Sequence, residues 1–411
     1  MKYTKTLTTL FIAFFAVVSC TDFVQEVDDP IDVIPGETLL SEDQVRFSLN
    51  GVAGRFAVNY DALTVIAAGL SDAWEFESDV VSDATFPTFG EIDEGDIPID
   101  NNSVDGPFNT LGQARYLADD LIDKITQITF EDTDLQAEAN FYAHVYAALT
   151  RANYAAYFGS SVTERGGVID NSPLIPPATL NADAITLLTT ARGLYSAGSY
   201  EVKLVNTLIG RIHLYEGNYS DAASFLNAGL VSGDAPFQSL NSLESQNNFY
   251  TQAGISRTQF SVDRRFGGYI AADANEANRL DIEEVSDAAE LTDAAETNGT
   301  TFWRSSLQPD APLNIVSWQE NNLMRAEVAL RSTPADAATA LTLVNEVRAA
   351  YTIAPLVAVD LAALEVEREK ELLHTPNRLL DQRRFGSWHL PAGTWQWFPI
   401  TQSERNNNPN F

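Results

Sequence analysis

Three observations predict a mostly α-helical chain of helix pairs interrupted by long irregular stretches. Apolar residues recur at three- and four-residue spacing in several segments, the signature of amphipathic helices. Short breaks containing Gly, Asn or Pro separate two neighbouring pairs of those segments. Residues 74–109 and 232–319 carry no such stripe and are rich in Gly, Asn, Ser and Pro with scattered aromatics.

The chain begins with a segment outside that scaffold. Lys2 and Lys5 precede an apolar run over 10–18, followed by Ser19 and Cys20. This is the charged, apolar and small-residue order of an export signal over 1–19. The run is shorter than the roughly 20 residues a spanning helix needs. Val17-Val18-Ser19-Cys20 resembles the lipobox of bacterial lipoproteins, and Cys20 is the only cysteine of 411 residues. Cys20 is therefore expected to carry acyl chains, which together give stable anchoring. Residues 20–40 hold six acids, two prolines and a glycine and read as an acidic flexible tether. Residues 41–411 are expected to form a single domain.

Within that domain, Leu111, Ala114, Leu117, Leu121 and Ile125 mark one helix, and Phe141, Val145, Leu149 and Ala152 a second. Leu204, Leu208 and Ile212 mark a third, and Ala222, Leu226 and Leu230 a fourth beyond the break at Gly217-Asn218-Tyr219. Gly210, Gly217, Tyr219, Ala222 and Leu226 fall where a tetratricopeptide-like pair places small or aromatic packing residues. Another pair spans 320–350, with Thr333 expected as N-cap and Pro334 at the first helical position. A short helix is expected within 274–296.

The formal charge is −32, from 57 acidic and 25 basic side chains, and becomes −34 once Lys2 and Lys5 leave with the signal. Residues 21–140 alone hold 27 acids and 4 bases. Such a surface repels phosphate backbones, which argues against nucleic acid, and it offers no polybasic patch to lipids. Strongly polyanionic ligands are disfavoured too, unless Arg264, Arg265 and Arg304 offset the acidity locally.

No catalytic constellation stands out. The histidines, His144, His213, His374 and His389, lack zinc spacing, and no nucleophile elbow, Walker loop or dinucleotide fingerprint is present. Asp93, Glu94, Asp96, Asp100 and Asp105 form an acidic stretch with oxygen ligands for calcium, but its spacing is not that of an EF-hand, and a solvated loop is the simpler reading. Aromatics in polar stretches are the remaining signal. Flat rings suit the apolar faces of sugars while neighbouring Asp, Asn and Arg satisfy hydroxyls. On that ground Trp74, Phe89, Tyr269 and Trp303 are candidate ligand contacts, while Trp318, Trp395 and Trp397 read as core.

The last ninety residues carry a family resemblance. Leu323-Met324-Arg325-Ala326-Glu327 resembles the L-x-R-A-E helix of the SusD/RagB family of outer-membrane nutrient-binding lipoproteins, and Asn345-Glu346-Val347-Arg348 its N-x-V-R turn. Glu367 to Leu372 resembles E-R-x-x-E-L, and Arg378 to Gly386 resembles R-x-x-D-x-R-R-x-G. Phe398-Pro399-Ile400, Glu404 and Asn408-Pro409 resemble the closing P-I-P-x-x-E and N-P. His374-Thr375-Pro376-Asn377 and Thr401 depart from the family pattern. The resemblance implies a SusD-like fold and a non-enzymatic cell-surface lipoprotein of the outer membrane. It implies capture of oligosaccharides, or alternatively peptides, for a SusC-like TonB-dependent transporter, with no cofactor; a surface glycan hydrolase is the remaining alternative. The charged motif residues themselves read as ties between the last helices.

Overall fold

The computed structural model describes residues 40–411. The export signal, Cys20 and all of the tether before Leu40 lie outside the described residues. Helix α1 (Glu42–Leu70) opens the body, with Glu42 and Asp43 in its first turn, where the helix dipole favours acids. Every residue from Leu63 to Leu70 is buried. Its apolar positions therefore wrap the helix instead of forming one stripe, so periodicity alone does not mark it.

After β1 (Trp74–Glu75) come α2 (Pro87–Asp93) and α3 (Asn102–Ile125). The stretch 74–109 is thus not wholly irregular as expected. Pro87 occupies the first turn of α2, and the Asn101 side chain accepts from the Ser103 and Val104 N–H groups to cap α3. These residues serve as helix starts, a role that Pro and Asn take as readily as they break chains.

Helix α4 (Thr133–Tyr157) is capped by Asp132, whose carboxylate accepts from the Asp134 and Leu135 N–H groups. The hairpin β2 (Phe158–Ser161) and β3 (Glu164–Arg165) follows, then α5 (Pro177–Arg192), α6 (Tyr200–Tyr215) and α7 (Tyr219–Leu226). Neighbouring helices pack in succession, α3 on α4, α4 on α5, α5 on α6 and α6 on α7. Gly210 permits the last contact, because a Cβ there would lie 2.5 Å from Leu226 Cδ2. Helix α7 ends at Leu226, before the expected Leu230, which is nonetheless buried.

The stretch 232–319 also contains regular structure. It supplies β4 (Phe237–Ser239), α8 (Asn248–Gln252), β5 (Ser261–Val262), α9 (Arg264–Ala272), a 3-10 turn (Ala274–Asn278), β6 (Ile282–Val285), α10 (Asp293–Asn298), β7 (Phe302–Ser305) and β8 (Leu313–Val316). Within 274–296, where a short helix is expected, lie a 3-10 turn, a strand and the start of α10. An antiparallel sheet orders its strands β1-β5-β7-β6, with Trp74 opposite Val262 and Val262 opposite Trp303. Strands this short escape sequence reading because their pairing is set by distant partners.

Helices α11 (Trp318–Arg331) and α12 (Ala337–Ala350) form the second expected pair. The cap differs from expectation: Asp336, not Thr333, accepts from the Thr339 N–H, at 3.0 Å. Then come α13 (Leu361–Glu371), α14 (Asn377–Phe385), β9 (Phe398–Pro399) and α15 (Gln402–Asn407). Strand β9 runs parallel to β2, setting Phe398 beside Phe158. Trp318 is buried as expected, whereas Trp395 and Trp397 are only half-buried, the latter donating to the Ser161 carbonyl at 2.8 Å.

The charged C-terminal motifs form the expected ties, over a wider span than α13 and α14. Arg368 grips Asp381 at 2.6 and 3.0 Å, and Arg384 bridges Asp381 to Glu327 of α11. Arg378 makes two 2.7 Å hydrogen bonds to Asp72 and one of 2.9 Å to Glu365. Burial pushes the Asp381 carboxyl up, but Arg368 and Arg384 more than offset it and leave it below the usual range. One continuous apolar cluster runs from Val45 to Ile400 behind these ties.

Candidate ligand-binding site

A groove of about 400 Å³ opens where α1, α2, α3 and α8 meet. Val65 and Ile66 form part of its apolar wall, and Phe86, Pro87 and Phe89 line it from the start of α2. Phe86 is 39% exposed, whereas Phe89 is only 7% exposed. Their rings stack with centroids 6.2 Å apart, and Phe89 meets the buried Phe260 edge-on at 4.9 Å. Phe89 thus anchors the more exposed Phe86. The Arg257 guanidinium lies 3.9 Å from the Phe86 ring centroid, a cation–π contact.

The polar side of the groove is fixed from beneath. Asn102, Ser103, Asn248 and Gln252 line it. Gln259 holds the approach to α2, its carbonyl oxygen accepting from the Thr85 and Phe86 N–H groups at 3.2 and 3.0 Å. Asp61 accepts from the Asn248 N–H at 2.8 and 2.9 Å, which orients the start of α8. Burial raises Asp61 to about 7 even though Asn248 pulls the other way. The Gln252 Oε1 atom is buried without a hydrogen-bond partner among the described residues. An aromatic pair beside amides and a hydroxyl has the chemistry to hold an oligosaccharide by stacking and hydroxyl hydrogen bonds.

The four residues singled out by sequence do not converge. Trp74 is fully buried: its indole N–H donates to the Leu373 carbonyl at 3.2 Å, and its ring packs against Phe249 and His374. In this structure its ring is enclosed by the core and leaves no surface exposed. Phe89 lies in the groove. Tyr269 is half-buried over the α13 ion pairs, donating to Glu369 at 2.5 Å with Lys370 over its ring. Trp303 is half-buried on β7 and lies across Gly267, where a Cβ would come within 2.4 Å of the indole. Phe86 is the aromatic that single-residue reasoning passes over, although its three-residue spacing from Phe89 across Pro87 is the available signal.

The acidic stretch expected as a solvated loop or calcium site is divided between elements. Asp93 ends α2, and Asp105 lies in the first turn of α3, accepting from Ser403 and Asn109. Among the described residues, no group of three or more His, Cys, Asp or Glu side chains is placed to hold a metal. No described helix is long and apolar enough to cross a membrane.

The architecture matches solved structures along nearly its whole described length. A SusD superfamily protein from Bacteroides thetaiotaomicron VPI-5482 superposes with a TM-score of 0.70 at 16% identity, covering 90% of this chain and 98% of that one. A laminarin binding SusD-like protein gives 0.66 at 15% identity, covering 90% and 99%. Surface glycan-binding protein A from Bacteroides thetaiotaomicron, in complex with laminarihexaose, gives 0.65 at 12% identity, covering 90% and 98%. The chain has the SusD-like fold. No family model and no curated protein matches its sequence.

Proposed function

We propose that this chain is a cell-surface oligosaccharide-binding lipoprotein, anchored through Cys20, that captures a glycan and passes it to a SusC-like TonB-dependent transporter. The observation that carries the reading is the groove with its Phe86–Phe89 stack beside Asn102, Ser103, Asn248 and Gln252. Two solved relatives of the same fold support it, one named for laminarin binding and one bound to laminarihexaose. Capture needs no bond-making: the part of the Phe86 ring left exposed beside Phe89 and Arg257 takes an apolar sugar surface, and the amides and hydroxyl take the sugar hydroxyls. The rigid backs of the groove, Phe89 on Phe260 and Asp61 on Asn248, lower the cost of ordering it around a ligand.

Affinity gel electrophoresis of the mature chain in a panel of neutral polysaccharides that includes laminarin tests this. The wild type is retarded by at least one of them, and Phe86→Ala weakens that retention about tenfold, the loss of one stacking contact. Retention by none of the panel, or retention unchanged in Phe86→Ala, contradicts the reading.

A further inference from the structure

A second cavity lies among the scaffold helices, away from the groove and lined by α4, α5, α6 and α14. Its volume is about 270 Å³, near the lower end of small-molecule pockets, which start at about 300 Å³. Leu149, Leu188, Leu208 and Ile212 give it an apolar wall.

Four arginines line it, and they divide into two kinds. Arg211 is answered by Glu320 and the Ile315 carbonyl, and Arg384 by Glu327 and Asp381. Arg165 and Arg383 have no such partner. Arg383 donates only to the Ala156 and Gln396 carbonyls, at 2.8 and 2.9 Å. Arg165, on β3, makes no side-chain hydrogen bond and no ion pair among the described residues. Burial and the neighbouring Arg165 push Arg383 down to about 9, while Arg165 feels the Glu216 carboxylate on the same wall without forming an ion pair with it.

Two further donors on the cavity wall are idle. The Tyr215 hydroxyl and the Asn153 Nδ2 are both buried without a hydrogen-bond partner among the described residues. Buried donors left unpaired are costly and uncommon, so their convergence beside two unanswered guanidiniums calls for an acceptor. Glu216, also on the wall, is occupied by the Asn181 and Asn218 amides.

We infer that this cavity binds a small monocarboxylate, its anion held by Arg165 and Arg383 and its apolar body lying against the leucines and Ile212. The carboxylate supplies the missing counter-charge, and its oxygens accept from the idle Tyr215 and Asn153 groups. The cavity shares no lining residue with the groove, so the two sites are separate.

The test is calorimetric and thermal titration of the mature chain with hexanoate and benzoate, with 1-hexanol and benzyl alcohol as uncharged counterparts. The carboxylates bind and raise the melting temperature with dose, and the alcohols do so at least about tenfold more weakly. Arg165→Gln loses carboxylate affinity by about tenfold while its unliganded melting temperature is no lower than wild type, because the Arg165 side chain makes no hydrogen bond or ion pair among the described residues. Binding by neither carboxylate, equal binding of acid and alcohol, undiminished affinity in Arg165→Gln, or a lower melting temperature of the unliganded variant would each overturn the inference.

Discussion

An aromatic ring in a polar stretch meets either the core or a ligand, and the local backbone decides which. Trp74 enters a strand paired with β5, and that pairing turns its indole inward onto Phe249 and His374. Phe86 stands just before Pro87 at the start of α2, outside the helix, so its ring stays partly in solvent. Burial also decides what the charged residues do. Arg378 is a structural tie, since its guanidinium is spent on Asp72 and Glu365 and leaves nothing for a ligand. Arg378→Ala leaves Glu365 without a cation and Asp72 with Arg265 alone, which costs about 3 kcal/mol and lowers the melting temperature by roughly 4 °C. Scanning calorimetry checks this, with glycan retention of the folded variant unchanged. An unaltered melting temperature would show that the tie contributes nothing.

Elements were legible where one face is apolar and the other wet. Helices α3, α4, α6, α7, α11 and α12 all carry the stripe that sequence reading uses, and the Gly210 packing position was recognisable from residue size alone. Helix α1 was not, because its second half is enclosed by other elements and shows no polar face. The strands of the β1-β5-β7-β6 sheet were missed for a different reason: each is two to four residues long, and their pairing joins positions as far apart as Trp74 and Val262. The groove shares that difficulty, since Val65, Phe86, Ser103 and Gln252 come from four helical regions that only the fold brings together. At this scale the close contact of α6 with α7 makes a sharp prediction. Gly210→Val forces Leu226 aside and costs about 1–3 kcal/mol, read as a lower midpoint in urea. A midpoint equal to wild type would mean the pair is looser than described.

Across the whole molecule the formal charge of −32 works against strongly anionic ligands. Three arginines near the acidic first third are already engaged, Arg264 with Glu77, Arg265 with Asp72 and Glu369, and Arg304 with Glu283 and Glu290. On the proposed reading this general acidity disfavours strongly anionic glycans, against the single guanidinium of Arg257 beside Phe86. Arg165 and Arg383, which make no ion pair among the described residues, line a second cavity of about 270 Å³. The groove and this cavity share no lining residue, so the two proposed sites are separable by mutation. The central claim, that the groove is where glycan is captured, is tested most directly by hydrogen–deuterium exchange with and without a retained neutral glycan. Protection is predicted over residues 86–107 and 248–257, with the α4–α6 cavity unchanged. Protection confined to other segments, with the groove unaffected, would contradict it.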